Sequence, residues 1–172
     1  MATYKKGFKK QNSEQVLLKV IVTIIVSVMI FIGVIFIYDA ASKWKDYDHY
    51  TTITEYDGIF DYTNGGTEEL QDYVVYFYSA SCENCIEAKP DVLRAGNKIN
   101  RGDDTFFIAS TDTMTDADTK LAAFLTEIDL SDLVTPLLVV VVDGEFHEVF
   151  TGTTDVTAAL DSIEAGTYEA FN

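Results

Sequence analysis

The hydrophobic positions of this chain form one long uninterrupted run followed by several shorter runs. The long run, VIVTIIVSVMIFIGVIFIY at residues 20–38, contains nineteen residues without a charge. At about 1.5 Å per residue it predicts a helix of roughly 28 Å, close to the roughly 30 Å hydrocarbon core of a bilayer. We therefore predict one transmembrane signal-anchor helix over residues 16–38. Lys19 lies near its start, where a long side chain can reach the lipid headgroups.

The shorter runs, between residues 51 and 166, predict the alternating strands and helices of a folded domain. Strands are expected where β-branched and aromatic residues dominate; they are residues 73–80, 105–110, 135–142 and 145–152. The last two are joined by the two-residue turn Asp143-Gly144. Helices are expected where apolar residues recur at helical spacing; they are residues 81–100, 116–128 and 154–163. The order β-α-β-α-β-β-α predicts an α/β fold with a mixed sheet, parallel crossovers first and an antiparallel hairpin last.

The first of these helices carries details that matter for the chemistry. Ser81 is positioned to cap its start, and its buried stripe is predicted to consist of Ile86, Val92, Leu93 and Ile99.

The remaining segments are predicted to connect the anchor and the domain or to extend beyond them. Residues 39–50 are predicted to be a juxtamembrane stalk, with one short strand at residues 51–54, and residues 167–172 a C-terminal tail. Four aromatic residues are expected to form a belt at the outer membrane surface; they are Tyr38, Trp44, Tyr47 and Tyr50.

Charge divides the chain at the same place. Residues 1–37 carry five lysines and one glutamate, hence +4, whereas residues 38–172 carry seven Lys or Arg and 27 Asp or Glu, hence −20. Because positive residues favour the cytoplasmic side, residues 1–15 are predicted to be a cytoplasmic tail and the domain to be extracytoplasmic. A cleaved signal peptide is the alternative, but the apolar run exceeds the usual roughly 7–15 residue core. A domain this acidic is not expected to bind nucleic acid.

The two cysteines of the chain, Cys82 and Cys85, are separated by two residues at the point where a strand gives way to a helix. Two buried small hydrophobes would be the simplest interpretation. The unpaired N–H groups at a helix start, however, favour a thiolate at Cys82, and Cys85 one turn later lies within reach of a disulfide. A zinc site is not expected, because only His49 and His147 could add ligands of the usual kind. We expect no metal and no cofactor.

Two stretches of the domain resemble the thioredoxin superfamily. VVYFYSASCENCIEAKP, residues 74–90, is similar to the family's active-site strand and helix, and LVTPLLVVVVDGEFHEVFTG, residues 133–152, to its proline-containing strand and hairpin. The resemblance covers residues 51–166 and implies a thioredoxin-like fold with a cis Thr135-Pro136 bond beside the cysteines. It also implies that Thr135 and Pro136 form the substrate-docking edge. A closer resemblance is to membrane-anchored extracytoplasmic thioredoxin-like proteins, including bacteriocin-transport accessory proteins.

Three positions depart from the pattern of soluble thioredoxins. Ser81 stands in place of a tryptophan, Glu83-Asn84 in place of Gly-Pro, and Tyr76 in place of a buried acid. That acid usually helps to deprotonate the second cysteine, so its replacement puts fast general disulfide reduction in question.

The sequence therefore predicts a membrane-anchored extracytoplasmic thiol–disulfide oxidoreductase in which Cys82 attacks and Cys85 resolves disulfides of exported proteins. Glu83 and Glu87 oppose a thiolate, which favours a reductase or isomerase over a strong oxidase. Expected partners are exported protein thiols or disulfides and a transmembrane electron donor, and the chain is expected to be a monomer. The alternative is a non-catalytic binding or assembly module of a surface or secretion complex, with a structural disulfide.

An acidic stretch, STDTMTDAD at residues 110–118, raises the question of a calcium site. It lacks the spacing and the glycine of a known calcium loop, so Asp112, Asp116 and Asp118 are predicted to be capping and turn residues.

Overall fold

The computed structural model describes residues 13–43, 46–60, 72–100, 105–115 and 119–171. The chain divides into two compact units, residues 1–42 and 43–172. The first unit contains helix α1, Ser13–Lys43. Within its segment Gln15–Tyr38, the most apolar stretch of 18 residues has a mean hydropathy of 3.2 and no buried side chains, so by length and composition α1 could cross a membrane. Most of the predicted cytoplasmic tail lies outside the described residues.

The second unit is built on a four-stranded mixed sheet. Its strands are β1 (Tyr73–Tyr78), β2 (Phe106–Ser110), β3 (Leu137–Val142) and β4 (Glu145–Thr151). They lie in the order β2-β1-β3-β4. β1 and β2 are parallel, and β3 is antiparallel to both β1 and β4. This confirms the predicted mixed sheet and its final hairpin.

Helices cover both faces of the sheet. They are α2 (Glu83–Ile99), α3 (Lys120–Glu127) and α4 (Thr153–Glu164). Residues of α2 and α4 pack with Val74 and Tyr76 on one face, while residues of α3 pack with Val75 and Phe77 on the other. Side chains of a strand alternate between faces, so a strand covered on both sides is apolar throughout, as β1 is. The predicted start of α3 at Asp116 lies outside the described residues.

The segment predicted to be a stalk contributes to the core instead. Tyr47 and Tyr50 are 4% and 6% exposed, so the prediction that they belong to an interfacial aromatic belt is wrong. The Tyr50 hydroxyl donates to the Leu93 carbonyl at 3.1 Å, and its ring meets that of Phe106 edge-on with centroids 5.1 Å apart. The helices leave space open between α2 and the sheet. The two tyrosine rings fill this space and are therefore buried. Trp44 lies outside the described residues.

The short strand expected at residues 51–54 is reduced to a single parallel bridge between Thr52 and Ile108. Ile53 N–H donates to the Ile108 carbonyl at 2.8 Å, and Ile108 N–H donates to the Thr51 carbonyl at 3.1 Å. The bridge adds an incomplete strand beside β2, at the edge of the sheet.

The element order and the strand order together define a thioredoxin-like fold. The peptide bond between Thr135 and Pro136, directly before β3, is cis. Both features agree with what the resemblance to the thioredoxin superfamily implied.

Candidate active site

The turn between β1 and α2 places Cys82 at the N-cap of α2. β1 ends at Tyr78, and α2 begins at Glu83. Cys82 has an extended backbone, and its Sγ accepts a hydrogen bond from the Cys85 N–H at 3.1 Å. The first N–H groups of a helix lack partners within the helix, and here the sulfur supplies one. The prediction that Ser81 caps the helix is therefore wrong; its hydroxyl lies 3.0 Å from that of Ser79.

Cys82 and Cys85 are joined by a disulfide bond, with their Cα atoms 5.2 Å apart. The two sulfurs differ in accessibility. Cys85 is only 3% exposed, whereas Cys82 is partly exposed. Of the two sulfurs, that of Cys82 is therefore the more accessible to a thiolate in solution.

The loop before β3 faces the exposed sulfur. The Thr135 carbonyl oxygen lies 3.4 Å from Cys82 Sγ. The following Pro136 carbonyl accepts a hydrogen bond from Gly152 N–H at 2.9 Å, which ties this loop to the end of β4. Gly152 has a φ of 81°, a conformation that glycine adopts without strain. The structure thus places Cys82, Cys85 and the Thr135 carbonyl together, with Pro136 next in the chain, as the resemblance implied; their roles in a reaction stay a prediction.

A pocket of about 330 Å³ opens beside Cys85. Its lining combines aromatic, aliphatic and charged side chains; the residues are Asp46, Tyr47, Tyr78, Ser79, Ala80, Cys85, Ile86 and Lys89. Lys89 Nζ lies 3.0 Å from Asp46 Oδ1 and 5.1 Å from the centre of the Tyr47 ring. The hydrogen bond from Lys89 is the main reason that the pKa of Asp46 lies below its ordinary value. The pocket was not predicted, because two of its walls come from the segment assigned to the stalk.

Tyr76 occupies the position at which soluble thioredoxins bury an acid. It is fully buried, with its ring centre 5.9 Å from that of Tyr47. Within the described part of the chain, neither hydroxyl has a partner that meets hydrogen-bond geometry, although each hydroxyl influences the pKa of the other. Burial raises the pKa of Tyr76 to about 12. Tyr76 and Tyr47, which lines the pocket beside Cys85, therefore provide two neutral hydroxyls in place of the buried acid that the resemblance implied.

Two exposed hydrophobic side chains flank the disulfide. Among the described residues outside α1, Ile86 at 60% and Val134 at 53% are the exposed large hydrophobics. Ile86 directly follows Cys85, and Val134 directly precedes Thr135. The prediction that Ile86 belongs to the buried stripe of α2 is wrong, whereas Val92 and Leu93 are buried as predicted. Ile86 lies at nearly the same angle around α2 as the buried Leu93, seven residues later, so helical spacing alone could not have placed Ile86 on the outside.

Asp112 binds the turn that precedes Cys82. Its Oδ1 accepts a hydrogen bond from the Ser79 hydroxyl at 2.9 Å, and its Oδ2 accepts one from Ala80 N–H at 2.7 Å. Asp112 was predicted to be a capping or turn residue. It does stabilise a turn, but that turn follows the neighbouring strand β1. Asp116 and Asp118 lie outside the described residues.

Comparison with known proteins adds matches at the level of solved structures only. No family model matches the chain, and no curated protein matches it. Mitochondrial thioredoxin 3 of Saccharomyces cerevisiae is 16% identical with a TM-score of 0.47, and the match covers 70% of this chain and 95% of that one. Fasciola hepatica thioredoxin is also 16% identical with a TM-score of 0.47, covering 67% and 97%. Chlamydomonas reinhardtii thioredoxin f2 is 14% identical with a TM-score of 0.46, covering 69% and 98%.

Matches at this level of identity and TM-score add no evidence about the chemistry, so the assignment rests on the chain's own topology and site. A CxxC disulfide at the start of α2, opposite a cis-proline loop, supports thiol–disulfide chemistry in general terms. The chain is thus a thioredoxin-fold protein whose cysteine pair and apolar N-terminal helix fit a membrane-anchored thioredoxin-like protein.

Proposed function

We propose that this protein is a membrane-anchored extracytoplasmic thiol–disulfide oxidoreductase that acts on exported proteins. The observation that carries the proposal is the asymmetry of the cysteine pair. Cys82 is partly exposed at the start of a helix and faces the Thr135 carbonyl, whereas Cys85 is buried behind it. This arrangement suits one attacking sulfur and one resolving sulfur.

In the reductive direction the reaction begins with the dithiol form. The Cys82 thiolate attacks one sulfur of a substrate disulfide, a Cys82–substrate disulfide forms, and the other substrate sulfur leaves as a thiolate. Cys85 then loses its proton and attacks Cys82 Sγ, which restores the Cys82–Cys85 disulfide and releases the second substrate thiolate. Two electrons pass from the pair to the substrate. A further turnover requires an external dithiol, for which we propose a transmembrane electron donor.

The start of α2 assists the first step. Its unpaired N–H groups and the positive end of its dipole stabilise negative charge on Cys82. The Cys85 N–H already points at that sulfur. The same N–H can remain bonded to a thiolate, so reduction requires little rearrangement of this turn.

The surface around Cys82 fits a protein substrate. Ile86, next to Cys85 in the chain, and Val134, next to Thr135, offer exposed apolar contacts. We propose that the Thr135 backbone pairs with an extended substrate segment in the manner of an added strand. Pro136 directs that segment past Cys82.

Charge near the pair favours a reductase or isomerase over a strong oxidase. The exposed Glu83 lies between the cysteines, and the Asp112 carboxylate holds the preceding turn. Negative charge close to Cys82 disfavours its thiolate and hence stabilises the reduced form less than a neutral or cationic neighbour would.

The decisive experiment compares Cys85→Ser with Cys82→Ser in cells. Cys85→Ser leaves the attacking sulfur but removes the resolving one, so we expect disulfide-linked complexes with exported proteins that disappear on addition of dithiothreitol. Cys82→Ser is the matched control and should give none. The full-length protein in detergent should reduce insulin, and both variants should lose this activity.

The proposal fails if Cys85→Ser traps nothing and the wild type does not reduce insulin. A reduction potential below about −300 mV would then favour a structural disulfide within a binding or assembly module. The extracytoplasmic location is tested separately. After mild reduction of intact cells, a membrane-impermeant maleimide should label Cys82 without cell lysis; labelling only after lysis would contradict this location.

A further inference from the structure

The turn that presents Cys82 is held from outside by a single carboxylate. Asp112 follows β2, and its two oxygens accept hydrogen bonds from the Ser79 hydroxyl and the Ala80 N–H. Ser79 in turn accepts a hydrogen bond from Ser81 N–H at 3.2 Å through its hydroxyl and one from Cys82 N–H at 3.2 Å through its carbonyl. Every residue of the turn is thus bonded to Asp112 directly or through Ser79.

The position of Asp112 follows from the sheet. β1 and β2 are parallel, so their carboxyl ends lie side by side. Thr111 N–H continues the pairing by donating to the Tyr78 carbonyl at 2.9 Å, and the chain then turns, with Thr113 N–H donating to the Ser110 carbonyl at 3.0 Å. Asp112 lies in this turn, with its exposed side chain directed to the neighbouring one.

We propose that Asp112 is a positioning residue that shifts the thiol–disulfide equilibrium of Cys82 and Cys85 toward the disulfide. This inference rests on the proposed function, since it concerns the same pair. In this equilibrium the protein disulfide and two molecules of reduced glutathione convert into the protein dithiol and one molecule of glutathione disulfide.

Two physical effects of Asp112 act in the same direction. The disulfide requires its two sulfurs to remain in bonding position, whereas the dithiol gains freedom if the turn can move. A turn held by two bonds to a carboxylate denies the dithiol much of this freedom. The negative charge also disfavours a thiolate at Cys82, and a thiolate occurs only in the reduced form.

The test measures this equilibrium constant for the full-length protein in detergent, with glutathione as the only redox partner. Asp112→Ala removes both hydrogen bonds and the charge, and we expect the equilibrium to shift toward the dithiol by about three- to tenfold. Asp112→Asn keeps one acceptor oxygen and should give a smaller shift in the same direction.

Asp72→Ala and Asp72→Asn are the matched controls. Asp72 also accepts a backbone N–H, that of Asp143 at 3.0 Å, but lies just before the first residue of β1, at the end of the strand away from the cysteines. Both controls should leave the equilibrium constant within about twofold of the wild type, the scatter expected of a surface change distant from the pair.

An unchanged equilibrium in folded Asp112→Ala, or an equal shift in Asp72→Ala, would overturn the proposal. If Asp112→Ala does not fold by circular dichroism, Asp112→Asn decides in the same way. Failure of the proposed function is distinguishable, because a wild type that does not reduce insulin still equilibrates with glutathione.

Discussion

Gly96 of α2 offers a stringent test of the packing between this helix and the sheet. A Cβ at this position would lie 2.8 and 2.9 Å from two ring carbons of Phe106 and 3.0 Å from the Tyr50 hydroxyl oxygen. Comfortable carbon–carbon contacts lie at about 3.5–4.0 Å, so the neighbours would have to move by roughly 0.7 Å or more. Phe106 is fully buried in the sheet, and the Tyr50 hydroxyl is fixed by Leu93, so neither can move freely.

For Gly96→Ala, two opposing contributions decide the free energy of unfolding. Replacing glycine by alanine inside a helix stabilises it by about 1 kcal/mol. Overpacking a rigid core costs about 1–3 kcal/mol. Because the clash involves the body of a buried ring, we expect a cost in the upper part of that range, about 2–3 kcal/mol, and therefore a net loss of about 1–2 kcal/mol. For a domain of this size a loss of 1 kcal/mol lowers the melting temperature by about 3–5 °C, so the expected decrease is roughly 3–10 °C.

Thermal unfolding of the full-length protein in detergent, followed by near-ultraviolet circular dichroism of the packed tyrosines, would measure this decrease. Gly58→Ala is the control, since its added Cβ meets nothing within 4 Å. Phe106→Leu should couple favourably with Gly96→Ala by about 1 kcal/mol in a double-mutant cycle. A Gly96→Ala variant that melts at or above the wild-type temperature would refute the reasoning, since helix propensity would then outweigh the clash.

Three further predictions concern the polar groups of the domain. Glu164 of α4 forms ion pairs with Arg94 and Lys98 of α2. Glu164→Gln weakens these pairs and should cost about 1 kcal/mol in urea unfolding at low salt and less in 1 M NaCl; equal losses at both salt concentrations would contradict an ionic origin. Tyr76→Phe removes a buried hydroxyl without a hydrogen-bond partner in the described chain, so its melting temperature should equal or exceed that of the wild type; a clear decrease would reveal a hidden partner. Lys89 lowers the pKa of Asp46 below its ordinary 3.8, so this pair stabilises the fold above that pH and the effect is lost as the pH falls below it. The stability difference between wild type and Asp46→Asn should therefore shrink as the pH falls below about 3.8, and a constant difference would argue against the pair.

The sheet and the cysteine pair could be predicted because their signals are local. β1 and β3 are continuous apolar runs, Asp143-Gly144 marks the hairpin, and both cysteines lie within one turn of a helix. Each signal depends on residues close in sequence, so a pattern along the chain is enough to find it.

The features that were missed depend on contacts between distant parts of the chain. Tyr50 bonds to Leu93, and Asp112 bonds to Ser79 and Ala80, across separations of at least thirty residues. An aromatic residue after an apolar helix satisfies the pattern of an interfacial belt and that of a core residue equally well. Only the packing of the folded domain separates these two interpretations.

The burial of Tyr47 and Tyr50 determines where a soluble version of this protein can begin. A fragment cut at residue 51, the predicted domain boundary, would lose the ring that packs on Phe106 and two residues that line the pocket next to Cys85, Asp46 and Tyr47. Such a truncated protein would expose core surface, and the pocket beside Cys85 would have a different shape. Redox constants obtained from it would describe a damaged molecule, so any secreted or cytosolic version should retain Asp46 and everything after it.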